Sequence, residues 1–479
     1  MTAGIALRRF GLCGGPQDAA RLGNDPRGAL LAEVAEIARG PLPAPPDLLT
    51  SQSANDLFAA RRDEARERRA ERAARPRTDP TGAMEDRPSP ARPGEAGMVE
   101  GMTPAARPPR SGLASIGDVQ RQELAHLVGQ AIVTRRPLEE RLALFWTNHF
   151  TISAARQQVA LHLGPFERDA LRPRMLGRFD ELLRAAVLHP AMLRYLDNTD
   201  STGPNSPRGR GRGSVNENLA REVLELHSLG VDGGYTQADV TAFAGALSGW
   251  TAGVWQGRGP ATGTLFDAQR HEPGPKTVLG RTYPDAGEDQ AIAVLRDIAA
   301  HPSTARHITR RLATHFLGDG VPAAVPARLA AVWRDTGGDL RAVTEALLRL
   351  PESWSLPLVK LRSPLEFALA ASRVTGVAPP VAPLLRDLGA MGQPVFRANS
   401  PKGWPDEDDA WIAPDGIKTR LDWSMNVAAR LAAQADPRHL AEQAFGPSLS
   451  APTRQAIDRA ESPRQGLAIL LMSPEMQRR

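Results

Sequence analysis

The sequence predicts a mainly α-helical protein, a multi-helix globular bundle with one small β-hairpin near residues 264–280 and a disordered linker. Three observations predict this fold. Apolar residues recur every three or four positions through most of the 479 residues, which is typical of helices that bury one face. Helix-starting residues such as Ser, Thr and Pro, and helix-ending glycines, flank many of these segments. Hydrophobic residues make up 41% and charged residues 24%, which excludes a wholly disordered chain.

Composition divides the chain into three parts. Residues 1–60 are predicted to form N-terminal helices that pack on the core. Residues 61–112 combine a charged, ion-paired arm with a Pro/Gly-rich flexible linker, because positions 76–112 hold eight prolines and five glycines and cannot bury enough apolar surface to offset their ordering entropy. Residues 113–479 are predicted to form the main helical domain, including the hairpin at 264–280 and a long irregular loop at 391–416.

Helical periodicity continues through the main domain in order. One helix is predicted to begin at Pro137, and short helices over 166–196 are broken at prolines. A helical pair follows at 216–230 and 235–250, with Gly230 as a left-handed C-terminal cap and Thr236 with Asp239 as a capping box. Leu265-Phe266 and Thr277-Val278 flank a polar HEPGPK segment and predict the hairpin. Further helices are predicted at 288–299, 303–317, 325–335, 338–349, 363–374, 381–390, 417–434 and 452–475.

Charge and motif content exclude several classes of function. The net charge is +5, but 55 of the 59 basic residues are arginine and 54 acidic residues nearly balance them. We interpret this bias as GC-rich coding, which argues against nucleic-acid binding. No phosphate-binding loop, dinucleotide fingerprint, nucleophile elbow, HExxH zinc motif or calcium loop is present. Cys13 is the only cysteine, so intrachain disulfides and cysteine-based metal sites are excluded.

No run of 18 apolar residues occurs, so no membrane span is predicted. The first residues, MTAGIALRRFGLCGG, carry two arginines where a secretory signal needs an apolar core. From these two features we expect a cytoplasmic protein.

The segment NENLAREVLELH at 216–227 is the strongest candidate for a site. On an ideal helix, Glu217, Arg221 and Glu225 stack as an acid–base–acid ladder opposite the leucine stripe. Glu222 and His227 fall on opposite flanks, roughly 140° apart, so the two cannot share a metal ion through this helix alone. Residues from other segments would have to complete a site, and the candidates are His149, Asp197, Asn198 and His271.

Several segments resemble the bacterial domain-of-unknown-function 1800 family. They are FWTNHFT (145–151), AMLRYLDN (191–198), NENLAREVLELHSLGVDGGYTQADV (216–240), LSGW (247–250), RHEPGPKTVLG (270–280), HPSTARHI (301–308), KLRSPLEF (360–367), GQPVF (392–396) and KGWP (402–405). The resemblance implies a predominantly helical protein without an assigned activity. It also implies frequent export, which makes the periplasm the alternative location, and a partner from a sulfatase-like family, the domain-of-unknown-function 1501 family.

The chain departs from the family pattern in three places. From its first residues we expect no export signal, and its 61–112 arm is longer and more charged than usual. Gly245 stands where the family usually has arginine, and Ser248 replaces threonine. The loss of the arginine weakens an anion-binding role for that segment.

Two hypotheses follow. The first is a scaffold or partner-binding protein in which Asn198, Asn216, Glu217, Arg221 and Glu225 form a structural buried polar cluster. In it, Arg221 is clamped by Glu217 and Glu225, Asn216 caps the helix, and Trp404 and Trp411 anchor a partner. The second is a divalent-metal-dependent hydrolase with His149, Asp197, Glu217 and His271 as ligands, His227 or Glu222 as general base, and Lys276 as anion clamp. No cofactor is established by the sequence, and a divalent ion is the candidate.

Overall fold

The computed structural model describes residues 2–74, 114–253 and 263–479. Helices make up most of these residues, as the apolar periodicity predicts. The predicted Pro/Gly-rich linker at 76–112 lies outside the described residues. Among the described helices, none is both long and apolar enough to cross a membrane.

The N-terminal segment is helical, as predicted for residues 1–60. It contains α1 (Thr2–Ile5), a π-helical turn (Ala6–Phe10), α2 (Asp18–Leu22), α3 (Pro26–Ile37) and α4 (Ser51–Ala74). The charged sequence at 61–74 extends α4, and its side chains are mostly exposed. The ion pair between Arg68 and Glu64, four residues apart, supports the prediction of a solvated, ion-paired helix.

The helices of the main domain lie close to the predicted positions. The first group consists of α5 (Ile116–Val133), α6 (Pro137–His149), α7 (Leu163–Phe166), α8 (Phe179–Val187), α9 (Pro190–Tyr195), α10 (Asn218–Glu222) and α11 (Gln237–Leu247). The second consists of α12 (Glu288–Ala300), α13 (Pro302–Leu317), α14 (Ala324–Asp335), α15 (Leu340–Arg349), α16 (Glu352–Ser355), α17 (Pro364–Thr375) and α18 (Val381–Ala390). The last consists of α19 (Pro414–Leu431), α20 (Pro437–Phe445), α21 (Ala451–Asp458), α22 (Pro463–Met472) and α23 (Pro474–Gln477).

Tighter and wider helical turns connect these elements. The 3₁₀ turns are Arg172–Arg174, Asn198–Asp200, Asp408–Trp411 and Gly446–Ser448, and two further π turns are Glu167–Leu171 and Val223–His227. The predicted capping box is confirmed, because the Thr236 side chain accepts from the Asp239 N–H and the Asp239 side chain accepts from the Thr236 N–H. The C-terminal stretch 452–475 is helical, as predicted, but Pro463 and Pro474 each start a new helix, so it is divided into three helices.

The small β element near 264–280 is present, but its strands pair differently from the prediction. Strand β2 (Thr264–Phe266) pairs antiparallel with β1 (Trp250–Ala252), and β3 (Lys276–Val278) pairs with β4 (Arg281–Tyr283). The β3–β4 turn is Leu279-Gly280, and both residues have positive φ, 51° and 76°. A two-residue turn of that kind suits a tight hairpin, so β3 closes on the strand that follows and not on β2.

Two large hydrophobic cores support the fold. The first includes Trp146, Phe179 and Trp333, and the second includes Phe367 and Trp423. Helix α6 contributes Leu142, Phe145 and Trp146 to the first core, while Leu144 packs against the second. Its C-terminal residue His149 packs against Phe145, Trp146 and Phe150 of the first core.

Buried arginines hold the C-terminal segment. Arg362 is fully buried and donates to the carbonyls of Met476 (2.6 Å) and Arg478 (2.8 Å). The buried Glu366 carboxylate contacts two guanidinium groups, those of Arg141 and Arg479. Because arginine carries several donors and keeps its charge, such groups can satisfy backbone carbonyls that no helix or sheet pairs.

Candidate functional site

The helix that begins after Asn216 does not stay α-helical. Helix α10 ends at Glu222 and continues as the π turn Val223–His227. A π turn holds more residues than an α turn, so the 100° wheel that placed Glu222 and His227 on opposite flanks does not apply beyond residue 222. Asn216 is not the cap residue that the sequence predicts, because the cap position is held by Glu217, but its Oδ1 accepts the N–H of Asn218 at 2.9 Å.

The acid–base–acid ladder is only partly formed, and it is not buried. Glu217 Oε2 lies 2.9 Å from Arg221 Nη2, but the Arg221 side chain is 40% exposed. Glu217 also accepts from Gln237 Nε2 (2.8 Å) and Thr241 Oγ1 (2.6 Å), and these bonds lower its pKa. Glu225 accepts from the Tyr235 hydroxyl at 3.4 Å and does not clamp the arginine. The expectation of a buried Arg221 held by two carboxylates is therefore wrong, and the ladder joins α10 to α11 at the surface.

Asn198 is the buried member of the expected polar cluster. Its Nδ2 donates to the carbonyls of Leu247 (3.0 Å) and Trp250 (2.8 Å), which end α11 and begin β1. The neighbouring Asp197 has a left-handed backbone conformation and pairs with Arg156. Asn198 therefore joins two segments about 50 residues further along the chain, while Asp197 faces a different partner.

Replacing Asn198 with alanine is expected to lower the free energy of unfolding by about 1–3 kcal/mol, because two buried carbonyls lose their donor. Denaturant unfolding measures this change. Asn205→Ala is the matched control, since Asn205 is exposed and donates to Glu272 at the surface. If Asn205→Ala lowers the free energy of unfolding as much as Asn198→Ala does, the two buried hydrogen bonds of Asn198 do not stabilise the fold.

His271 and Lys276 have backbone partners. His271 Nδ1 lies 2.9 Å from the Ser248 carbonyl oxygen. The Lys276 ammonium donates to the carbonyls of Glu272, Pro273 and Gly274 at 2.7–3.1 Å. Burial lowers the Lys276 pKa. A side chain at Gly245 would begin 2.8 Å from Lys276 Cε, so the lysine stem occupies the space that a larger residue would need there.

The structure brings two of the candidate residues together in the core. His149 and His227 are fully buried, with ring centres 6.0 Å apart. His149 Nδ1 lies 2.8 Å from Arg311 Nη1, and its Nε2 lies 3.1 Å from the His227 carbonyl oxygen. Because guanidinium only donates, His149 accepts at Nδ1 and donates from Nε2. Both nitrogens of His149 are therefore already engaged.

Sequence reasoning missed four residues that complete this cluster. His307, Arg311 and His315 lie four residues apart along one face of α13. His307 Nε2 lies 3.1 Å from the Leu226 carbonyl oxygen, and Arg311 Nη2 lies 3.0 Å from Asp406 Oδ2. His315 Nδ1 lies 3.7 Å from Asp406 Oδ1. The H-x₃-R-x₃-H spacing was the available signal. We define the imidazole cluster as His149, His227, His307, Arg311, His315 and Asp406.

The cluster anchors the end of the π turn. The carbonyls of Leu226 and His227 belong to the last turn of a helix, where no intrahelical N–H is left to pair them. The rings of His307 and His149 supply the missing donors. Gly230 has φ 86°, and a side chain there would begin 2.9 Å from His307 Nδ1, so glycine is needed for both conformation and space.

Burial keeps these imidazoles neutral. Burial and the nearby Arg311 charge lower the pKa of His227 to about 3 and that of His307 to about 4, and burial and Arg479 lower that of His315 to about 4. The pKa of His149 is also well below its ordinary value, again by burial and Arg311. Burial alone would raise the Asp406 pKa, but His315 and Arg311 hold that carboxyl ionised.

The predicted metal ligands are not gathered into one site. His149 lies in the imidazole cluster, His271 contacts Ser248, Asp197 pairs with Arg156, and Glu217 lies between α10 and α11. Within 2–74, 114–253 and 263–479, no group of three or more His, Cys, Asp or Glu side chains is arranged to hold a metal ion. Glu222 is half-buried, and burial and Glu225 raise its pKa.

Two cavities meet at the segment 404–406. An open cavity of about 800 Å³ lies above the π turn and α13, and His307 and Arg311 reach its wall. A second cavity of about 170 Å³ is lined in part by His315. Trp404 is half-buried and lines both, whereas Trp411 is only 6% exposed. The expectation that Trp411 is an exposed anchor is therefore wrong.

Comparison with known proteins identifies the family. The family model described as Protein of unknown function (DUF1800) matches residues 5–478. No curated protein and no solved structure matches the chain. Since the match covers nearly the whole sequence, the chain belongs to the DUF1800 family.

Proposed function

We propose that this protein is a helical scaffold that binds a segment of a partner protein in the open cavity. The observation that carries the proposal is the shape and chemistry of that cavity. Its volume of about 800 Å³ is within the range of ligand-binding clefts. Leu226, Leu229, Val231 and Pro326 contribute an apolar surface, and Val231 is 69% exposed.

The rim of the cavity carries charges of both signs. Arg310 and Lys402 are exposed and form no ion pair within the described ranges, and Asp232 and Glu407 lie on the same rim. An apolar centre with a polar rim is typical of protein–protein interfaces. A polypeptide offers apolar side chains for the floor and both charges for the rim.

The imidazole cluster supports this cavity from below. Arg311 joins His149 of α6 to Asp406, and His307 joins α13 to the π turn. The backbone of Trp404 is held by Asn148 through two hydrogen bonds of 2.7 and 2.9 Å. These contacts fix the cavity wall before a partner binds, which lowers the entropic cost of association.

The proposed partner is a sulfatase-like protein of the domain-of-unknown-function 1501 family, as the family resemblance implies. The two proteins would have to share a compartment, either the cytoplasm expected from the sequence or the periplasm expected from the family. The alternative is a divalent-metal-dependent hydrolase. Its proposed ligands do not form a common site in the described part of the chain.

Calorimetric titration with a purified sulfatase-like protein of that family from the same bacterium tests the proposal. We expect saturable binding that Trp404→Ala and Arg310→Glu each weaken at least about tenfold, as expected for an aromatic anchor and a charge reversal at an interface. Arg296→Glu is the matched control, because Arg296 is exposed on α12 and does not line the cavity. Undetectable binding, or equal losses for Arg296→Glu and Arg310→Glu, would overturn the proposal.

A further inference from the structure

Two packed helices form the longest walls of the open cavity. Helix α13 lines it from Ser303 to Thr314 with residues that lie on one face, a length of about 17 Å. Helix α14 packs against α13 and lines the cavity with the small residues Pro326, Ala327 and Ala330. The cavity is therefore a groove along two helices, closed by the segments 225–232 and 402–407.

The α13 wall of this groove carries two positive charges without a counter-ion. Arg306 and Arg310 are exposed, line the cavity and form no ion pair among the residues that the structure describes. The Arg306 side chain donates one hydrogen bond, to Ser303 Oγ at 2.8 Å. The two arginines are four residues apart, so they are neighbours about 6 Å apart on the helix surface, and their like charges repel. Two carboxylates at the same spacing would relieve this repulsion.

The negative charges of the groove lie on a different element. Glu225 belongs to the π turn Val223–His227, and Asp232 follows it closely along the chain. Both line the cavity, and neither forms an ion pair within the described ranges. A carboxylate of the partner would therefore be attracted to the α13 wall and repelled by the π-turn wall, which fixes the orientation of a bound segment.

The shape of the groove favours a helix over a strand. A segment that binds as an added strand needs an exposed sheet edge, and no residue that lines the cavity belongs to β1, β2, β3 or β4. The small side chains of α14 leave room for the backbone of a third helix. A helix also places carboxylates four residues apart at the spacing of Arg306 and Arg310.

We infer that the partner segment in this groove is an amphipathic helix with two carboxylates four residues apart, which pair with Arg306 and Arg310. Its apolar side chains pack on Leu226 and Leu229, and its backbone lies close to Ala327. The inference rests on the proposed function of partner binding in the open cavity.

Calorimetric titration of the full chain with three synthetic peptides of about 18 residues tests the inference. The first is an alanine-, leucine- and glutamine-based helix with two glutamates four residues apart beside the leucine stripe. The second carries lysines in place of these glutamates, and the third is the first with a central proline that breaks the helix. We expect saturable binding of the glutamate helix, and binding at least about tenfold weaker for the other two.

Charge reversal on α13 tests the pairing itself. Arg306→Glu/Arg310→Glu should invert the order, so that the lysine helix binds more tightly than the glutamate helix. Arg296→Glu/Arg334→Glu is the matched control with the same change in net charge, because both arginines are exposed and neither lines the cavity. Ala327 is exposed, so Ala327→Trp should fold and should weaken the glutamate helix at least about tenfold by filling the groove.

The inference is overturned if the glutamate helix does not bind, if either other peptide binds as tightly, or if the control double variant also inverts the order. It is also overturned if Ala327→Trp binds the glutamate helix unchanged. Binding of the sulfatase-like protein without any preference among the peptides would overturn the inference and leave the proposed function standing. Preference for the glutamate helix without binding of the sulfatase-like protein would support the inference and overturn the assignment of that partner.

Discussion

Replacing Glu366 with glutamine is expected to lower the free energy of unfolding by about 3–5 kcal/mol, among the largest effects of a single substitution in this protein. Its carboxylate lies between the buried guanidinium groups of Arg141 and Arg479, with Oε1 2.9 Å from Arg479 Nη2. Both arginines are at most 2% exposed, so neither can regain its hydration when the carboxylate is lost. The glutamine amide keeps the size of the side chain but removes the carboxylate charge that pairs with both arginines.

Glu345→Gln is the matched control for this prediction. Glu345 also lies between two arginines, Arg341 and Arg349, at 2.9 Å from each. Those arginines are 46% and 56% exposed, so the expected loss is about 0–1 kcal/mol. Denaturant unfolding of both variants measures the difference. Equal losses would show that burial of the Glu366 pair does not stabilise the fold.

Lowering the pH from about 6.5 to 5 is expected to destabilise the protein by roughly 5 kcal/mol. Burial lowers the folded-state pKa to about 3 for His189 and His227 and to about 4 for His162, His307 and His315. Between these values and the unfolded value near 6.5, the unfolded chain binds protons that the folded chain does not. Stability is therefore complete above about pH 6.5 and is lost as the pH falls towards 4.

One buried carboxyl opposes this trend. Burial raises the pKa of Glu33 to about 7, so the folded chain holds a proton that the unfolded chain releases above about pH 4.5. As the pH falls from 7, Glu33 therefore stabilises the folded chain, and this gain offsets the loss caused by about one of the histidines. The lowered pKa values of Glu366 and Asp406 act only at lower pH, because both carboxyls are ionised in folded and unfolded chains at pH 5.

The measurement is the thermal midpoint as a function of pH, with two matched variants. His189 and His301 both cap a helix that begins with proline, and asparagine preserves a cap at either position. His189 is 8% exposed and His301 is half-exposed. His189→Asn should lower the number of protons taken up on unfolding by about one, so the midpoint depends less on pH. His301→Asn should lower that number less. A midpoint that stays constant from pH 7 to 5 would contradict the assignment of neutral buried imidazoles.

Much of the candidate site could not be predicted from the sequence, and the residues of the ladder show the physical reason. The ladder at Glu217, Arg221 and Glu225 was placed by assuming an ideal α-helix, but the π turn at Val223–His227 changes the direction of every later side chain. Whether Arg221 is buried depends on what packs over its side of α10. There Arg221 donates to Gln237 of α11 but stays 40% exposed.

The imidazole cluster could be predicted from the sequence only in part. His307, Arg311 and His315 are four residues apart in the sequence, so their common face could have been predicted from it. Their partners His149 and Asp406 lie more than 90 residues away along the chain, in α6 and in the segment before the 3₁₀ turn Asp408–Trp411. No local pattern indicates that these segments meet.

The sequence by itself determined the helical class, most of the helix positions and the cap of α11, because these depend on residues within a few positions of one another. Thr236 with Asp239 is an example, since a capping box needs only its own first turn. Tertiary packing alone decided that β2 pairs with β1, that the Glu366 carboxylate balances Arg141 and Arg479, and that two cavities meet at Trp404. Burial and charge pairing of this kind arise from contacts between segments remote in the sequence, so they exist only once the helices have packed.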